Sequence, residues 1–256
     1  MADRWQPDRS RGVFETLLVV DGEPIEMEAH LARLGRTLAE VYGAELPTEV
    51  RDQVPPVAAP FELGRLRVTA VPTGAGFEIE TAARPLDPAI MFPAAGADLC
   101  SVDRPGGNGP HKWVDRRGME HPDEGAGQLI RDGKELLEAG WANLFAVREE
   151  TLWTPPADGR LLPGMARTAL LEIAREEGIP GQERPLRASD LYTADETFLT
   201  NSVRGIEPAT SLDGIELPGR GPVSDRLANA LRRRWRLPAE PLPVSSSAPR
   251  AGQPAR

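Results

Sequence analysis

The sequence predicts a mixed α+β chain in two unequal parts: a small N-terminal α+β domain (residues 1–88) and a larger domain (97–236) built on a curved, barrel-like α/β core. Three observations predict this. The N-terminal part reads as strand, helix and hairpin in succession. Residues 97–154 hold short apolar runs broken by turns, the spacing of a barrel or strongly curved sheet. Between them, RPLDPAIMFPAAG (84–96) has three prolines and little periodicity, so it reads as the interdomain connection, with 89–96 as the linking stretch.

The elements follow in order. VFETLLVV (13–20) is an uninterrupted apolar strand, and DGEP (21–24) is the turn after it. In MEAHLARLGRTLAEVYG (27–43), Leu31, Leu34, Leu38 and Val41 recur at helical spacing, with Gly43 as the C-cap. Residues 45–60 are mixed and proline-rich, and carry no assigned element. GRLRVTAV (64–71) and FEIETAA (77–83) flank PTGAG as a hairpin. DLCSV, GQLIRD, ELLE, NLFAV and LWT follow as short strands. LPGMARTALLEIAREEG (162–178) is the clearest helix, closed by Gly178. Residues 189–214 read as a helical turn, a strand and a loop, and 221–235 as a last helix. From 237 to 256 the chain is rich in Pro and Ser, and a disordered tail is predicted.

Composition narrows the function. The chain of 256 residues has a net charge of −9, which argues against a nucleic-acid binder. A single cysteine, Cys100, excludes an internal disulfide framework, and three histidines (His30, His111, His121) make a metal centre unexpected. No apolar run has the length of a membrane span, and the N-terminus lacks a signal-peptide core, so a cytoplasmic location is expected. Only two of the 30 basic residues are lysines, Lys112 and Lys134. Arginine stays protonated near neutral pH, whereas a lysine can lose its proton and form a Schiff base, so each retained lysine is a candidate for chemistry.

Four features could carry chemistry, though each has an ordinary explanation. Lys112 follows the Gly/Pro-rich loop RPGGNGP, where lysines are usually solvated. Glu138 ends the ELLE strand, a common place for an exposed carboxylate. LPGMAR opens a helix, and free N–H groups at a helix start bind phosphate, although most bind water. Thr200, Asn201 and Ser202 end a strand and could hold a phosphate oxygen or simply make a turn.

In this order they resemble one family. GVFETLLVVDGEPIEMEAHLARL (12–34), HKWVDRR (111–117), LLEAGWANLF (136–145), LWTPPADGRLLPGMAR (152–167), ADETFLTNSVRGIEP (194–208) and SLDG (211–214) are similar to the fold-type IV pyridoxal-phosphate enzymes, the class IV aminotransferases and aminodeoxychorismate lyases. The resemblance runs from about Gly12 to Trp235. It implies that Lys112 carries pyridoxal 5'-phosphate as a Schiff base and shuttles the proton, and that Glu138 pairs with the pyridine nitrogen. It further implies that Arg33, the backbone of Met165 and Ala166, and Ser202 hold the phosphate. Ala166 stands where relatives often carry Thr. Thr16, in FETL, matches a threonine characteristic of the lyase branch; branched-chain transaminases tend to have Gly there. An R-x-H pair of the D-amino-acid transaminase type is missing.

The implied activity is that of a 4-amino-4-deoxychorismate lyase, which releases pyruvate and forms the folate precursor 4-aminobenzoate. Arg65, Arg67 and Arg204 are candidate partners for its dianionic substrate. A class IV transaminase of the branched-chain or D-amino-acid type is the alternative, and a non-catalytic relative a second one. The resemblance also implies a two-domain fold with the cofactor in the interdomain cleft, and a homodimer acting on a small molecule.

Overall fold

The computed structural model describes residues 5–117, 119 and 126–238. Most of the predicted tail, together with His121, lies outside these residues. The N-terminal sheet comprises β1 (Val13–Val20), β2 (Glu23–Pro24), β3 (Leu63–Thr73) and β4 (Gly76–Pro85), in the order β2-β1-β3-β4, with α1 (Met27–Tyr42) and α2 (Glu49–Ala58) inserted between β2 and β3. The second part runs β5 (Ala97–Asp103), β6 (Gly127–Asp132), β7 (Glu135–Ala139), β8 (Ala142–Arg148), β9 (Thr151–Thr154), α3 (Met165–Glu176), β10 (Gly181–Glu183), α4 (Ala188–Tyr192), β11 (Glu196–Asn201), β12 (Gly205–Leu212), β13 (Ile215–Glu216) and α5 (Pro222–Arg234). Its sheet has the order β10-β9-β8-β11-β12-β5-β6-β7. Because β7 also pairs with β8, six of these strands close into a barrel. Among the described residues no helix is long and apolar enough to cross a membrane.

Every residue of β1 is buried, and the alternation of side chains along a strand explains why. Val13, Leu17 and Val19 pack into the small-domain core with Leu31, Leu34 and Leu38 of α1. Leu18 and Val20, on the opposite face, join the core of the larger part, with Phe92, Phe198, Leu170 and Leu227. Phe14 and Thr16 share this second face and so point toward the larger part. The strand also anchors the lysine segment. Phe14 N–H donates to Lys112 O (2.9 Å), Val114 N–H to Gly12 O (3.0 Å), and Val13 pairs with Trp113 as an antiparallel bridge.

Two stretches depart from the sequence-based expectation. Residues 49–58, left without an element, form α2 although Pro55 and Pro56 lie inside it. Val50, Val54 and Ala58, four residues apart, lay one buried stripe on the small-domain core, and that burial outweighs the poor propensity of proline. Residues 205–212, read as a loop, form β12. A proline normally argues against an interior strand. Pro208, however, precedes the first β12–β5 pair, Ala209 with Ala97, so no ladder bond to β5 is lost at that position.

Candidate active site

Two buried carboxylates stand at the site, Glu138 in the wall of one cavity and Glu15 behind the cavity-lining Arg33, and their surroundings differ. Glu138, at the end of β7, is held only by neutral donors: Leu162 N–H (3.1 Å), Asn108 Nδ2 (3.3 Å) and Asn143 Nδ2 (3.4 Å). Arg104 donates to Asn108 Oδ1, which turns the amide nitrogen of Asn108 toward Glu138. Asn143 also donates to Leu162 O (2.9 Å), and a Cβ on Gly164 would come within 2.1 Å of Asn143 Oδ1, so only glycine fits there. Burial with no cation in contact pushes the Glu138 carboxyl up to about 7, against the downward pull of the Leu162 and Asn108 donors.

Glu15, on the α1-facing side of β1, receives Arg33 Nε (2.7 Å) on one oxygen and Arg33 Nη2 (2.7 Å) on the other, with His30 Nδ1 at 2.8 Å. Burial alone would raise this carboxyl. Arg33 and His30 outweigh it and hold Glu15 well below the ordinary carboxylate range. The two partners come from α1 three residues apart, on one helix face.

The cavity is lined by Lys112, Glu138, Arg33, Met165, Ala166 and Ser202 together with Asn108, Asn143 and Trp141. Six of the seven residues singled out in the sequence therefore meet in one space. The seventh, Thr16, lines an adjoining cleft of about 530 Å³ that shares Lys112, Arg116, Trp141, Asn201 and Ser202 with the cavity. Lys112 Nζ lies 5.2 Å from the centroid of the Phe14 ring. Burial, reinforced by the Arg33, Arg116 and Arg67 guanidinia, lowers the Lys112 ammonium to about 7, although Glu15 pulls the other way. A sizeable fraction of the amine is thus unprotonated, and nucleophilic, near neutral pH. No side chain caps α3, whose first residues border the cavity, so its N-terminal N–H groups are available to an anion. Arg33 differs from the expectation in one respect: Nη1 donates to Pro163 O (2.7 Å), so three of its donors are already engaged within the protein.

Sequence reasoning missed Glu15, His30, Asn108 and Asn143. Glu15 and His30 stand inside the FETL and HLARL segments and Asn143 inside GWANLF, so the signal was present as motif membership without an assigned partner.

The barrel, the small antiparallel sheet and the cavity between them have the fold of the fold-type IV pyridoxal-phosphate enzymes. Residues 118–212 match the family described as amino-transferase class IV. A Legionella pneumophila chain described as a 4-amino-4-deoxychorismate lyase superposes with a TM-score of 0.77 at 21% identity, covering 91% of this chain and 96% of that one. The Escherichia coli branched-chain amino acid aminotransferase does so with a TM-score of 0.75 at 24% identity, covering 88% and 85%. A hypothetical aminotransferase from Mycobacterium tuberculosis in its PLP-bound form gives 0.76 at 24%, covering 91% and 93%. By sequence, the branched-chain-amino-acid aminotransferase of E. coli K12 is 41% identical over 97 residues, 37% of this chain and 31% of that protein. The D-alanine aminotransferase of Listeria innocua is 31% identical over 103 residues, 40% and 36%. The sequence match thus spans about a third of the length of these curated relatives.

The Mycobacterium tuberculosis chain of this fold is described in a PLP-bound form. The residues here fit such a cofactor: a buried amine whose ammonium is lowered to about 7, a buried carboxyl with no cation in contact, and an uncapped helix start border the same cavity.

Proposed function

We propose that the protein is a 4-amino-4-deoxychorismate lyase that uses Lys112 as cofactor-bearing base, Glu138 as the partner of the cofactor's ring nitrogen, and Arg33, Ser202 and the Met165 and Ala166 backbone as the phosphate site. When bound, the cofactor supplies an electron sink that stabilises negative charge on the carbon next to the substrate nitrogen. Lys112 Nζ would hold the cofactor and, as the base in the cavity, would take the proton from the amine-bearing ring carbon. The C–O bond to the enolpyruvyl group then breaks, the ring becomes aromatic, and the leaving group is protonated to pyruvate. Glu138 would face the cofactor's ring nitrogen and share a proton with it, a task suited to a carboxyl poised near neutrality.

The observation that carries this reading is the cleft beside Lys112. Thr16 and Phe14 of β1 form one wall, and Arg65, Arg67, Arg116 and Arg204 stand around it. Among the described residues neither Arg65 nor Arg67 has a carboxylate partner, and Arg67 stacks at 4.2 Å on the Phe14 ring. Such a cleft suits a substrate with two carboxylates, and Thr16 lines it together with Lys112. The same reading carries a homodimer and a cytoplasmic location.

The sequence match to branched-chain and D-alanine aminotransferases favours a second reading, a transaminase using the same lysine and glutamate. The two differ in where the last proton goes. A lyase returns the cofactor to Lys112 without gaining an amine, whereas a transaminase needs a keto-acid acceptor. Purified protein should therefore release pyruvate and 4-aminobenzoate from aminodeoxychorismate with no keto acid added. Absence of pyruvate, with ready conversion of the cofactor to its amine form by ordinary amino acids, supports the transaminase.

A further inference from the structure

Glu207 of β12 is a buried carboxylate that the chemistry above does not use. Its side chain is 5% exposed, and it accepts Arg204 Nη2 (2.6 Å) and Nε (3.0 Å) together with Trp141 Nε1 (3.2 Å). One carboxylate thus fixes two residues from different turns, Trp141 between β7 and β8 and Arg204 between β11 and β12, both of which line the cleft beside Lys112. The backbone of Arg204 is fixed as well. Asn201 Oδ1 accepts from Val203 N–H (2.9 Å) and Arg204 N–H (2.8 Å), and Arg204 O accepts from Phe92 N–H (2.6 Å). Trp141 is held from behind, since its ring lies so close to Gly127 that a Cβ there would stand 2.1 Å from the indole.

A guanidinium has five donors arranged in two forks. Glu207 occupies the Nε/Nη2 fork of Arg204 and leaves the Nη1/Nη2 fork, on a side chain that is 27% exposed, turned toward the cleft. That remaining fork matches a carboxylate, and no carboxylate side chain lines the cleft to take it. Trp141 adds a rigid aromatic wall beside it.

We propose that Arg204 and Trp141, locked together by Glu207, form a subsite at the cleft mouth for the carboxylate of a flat, ring-bearing substrate. The subsite deepens the lyase reading, which supplies such a ring. Glu207 is here a positioning residue: it orients the arginine fork and the indole without touching the ligand. An aliphatic dicarboxylate would satisfy the cations and leave the indole wall unused.

Calorimetric titration of the cofactor-loaded protein with 4-hydroxybenzoate, a ring carboxylate that neither a lyase nor a transaminase consumes, tests this directly, with succinate as the aliphatic comparison. The ring compound should bind about tenfold more tightly than succinate. Arg204→Ala should weaken it about tenfold, the loss of a charge-assisted pair, while the visible absorbance of the cofactor persists. Arg204→Lys, which keeps the charge and loses the fork, should recover only part of that affinity and covers the case in which Arg204→Ala fails to fold. Glu207→Gln should weaken 4-hydroxybenzoate about threefold and raise KM for the turned-over substrate more than it lowers kcat. Equal affinity for succinate, a wild-type affinity in Arg204→Ala, or full recovery in Arg204→Lys would overturn the subsite. Because the probe is inert, these results stand apart from the pyruvate assay: a failed lyase reading leaves the probe's affinity as an independent test.

Discussion

Glu15 and Glu138 are both buried, one on the small-domain strand β1 behind the cavity-lining Arg33 and the other at the end of barrel strand β7 in the cavity wall, yet they are opposite kinds of group. Glu15 is paired with Arg33 and hydrogen-bonded to His30, which hold its carboxyl well below the ordinary carboxylate range. Glu138 is surrounded by two amides and a backbone N–H, and burial holds its proton to about pH 7. Burial is common to both, so the partners decide the difference. The charge of Glu15 is satisfied within the fold and fixes Arg33. That of Glu138 is left for something outside the chain to complete, which is what a protonated ring nitrogen would do.

The largest expected effect comes from breaking the satisfied pair. Arg33→Ala leaves Glu15 buried with only His30, and removal of one partner of such a pair costs about 3–5 kcal/mol. Thermal unfolding of the cofactor-free protein should fall accordingly. The penalty should shrink in acid. The folded Glu15 titrates below its ordinary value, so its contribution is present above the usual carboxylate range and disappears as pH falls through its folded pKa. An unchanged melting temperature at pH 7 would mean that Arg33 is not needed to hold this charge.

Glu138→Gln sharpens the contrast from the other side. It should slow turnover about a hundredfold, the scale expected when one preorganised electrostatic group is lost, and should leave cofactor affinity less affected. In the cofactor-free protein the same change should stabilise. The folded carboxyl titrates near 7 instead of 4.5, so the wild type carries a penalty that is absent below about pH 4.5 and fully present above about pH 7. Glu138→Gln should therefore gain up to about 3 kcal/mol at pH 8 and nothing in acid, the reverse slope to that of Glu15. Full turnover in this variant would remove Glu138 from the ring-nitrogen role.

The smallest effect is expected at Thr16. Thr16→Ala should slow pyruvate release about tenfold while the cofactor stays bound, the low end of what a positioned proton donor contributes. A larger loss accompanied by loss of cofactor would mean that Thr16 acts on the fold of β1.

How far the sequence carried this comparison depends on the range of the interaction. Lys112, Glu138, Arg33, Met165, Ala166 and Ser202 were legible because they stand in motifs whose order is itself informative, and they line one cavity. The pairing of Glu15 was not legible, since its partners lie 15 and 18 residues away on another element and nothing local marks them. Asn108 was read only as part of a glycine-rich loop, because the carboxylate it serves comes from a strand 30 residues later. The fold shows the same division. Strand β1, helix α1 and the β3–β4 hairpin follow from periodicity, whereas α2 and β12 were hidden by prolines whose local preference is overridden by tertiary burial and strand pairing.

The central claim is that the amine left unprotonated in this cavity is the one that carries the cofactor. The chain has only two lysines, so one measurement decides it. Borohydride reduction of the cofactor-loaded protein, followed by peptide mapping, should place the entire covalent adduct on Lys112. An adduct on Lys134, or none with the cofactor bound, would contradict the account.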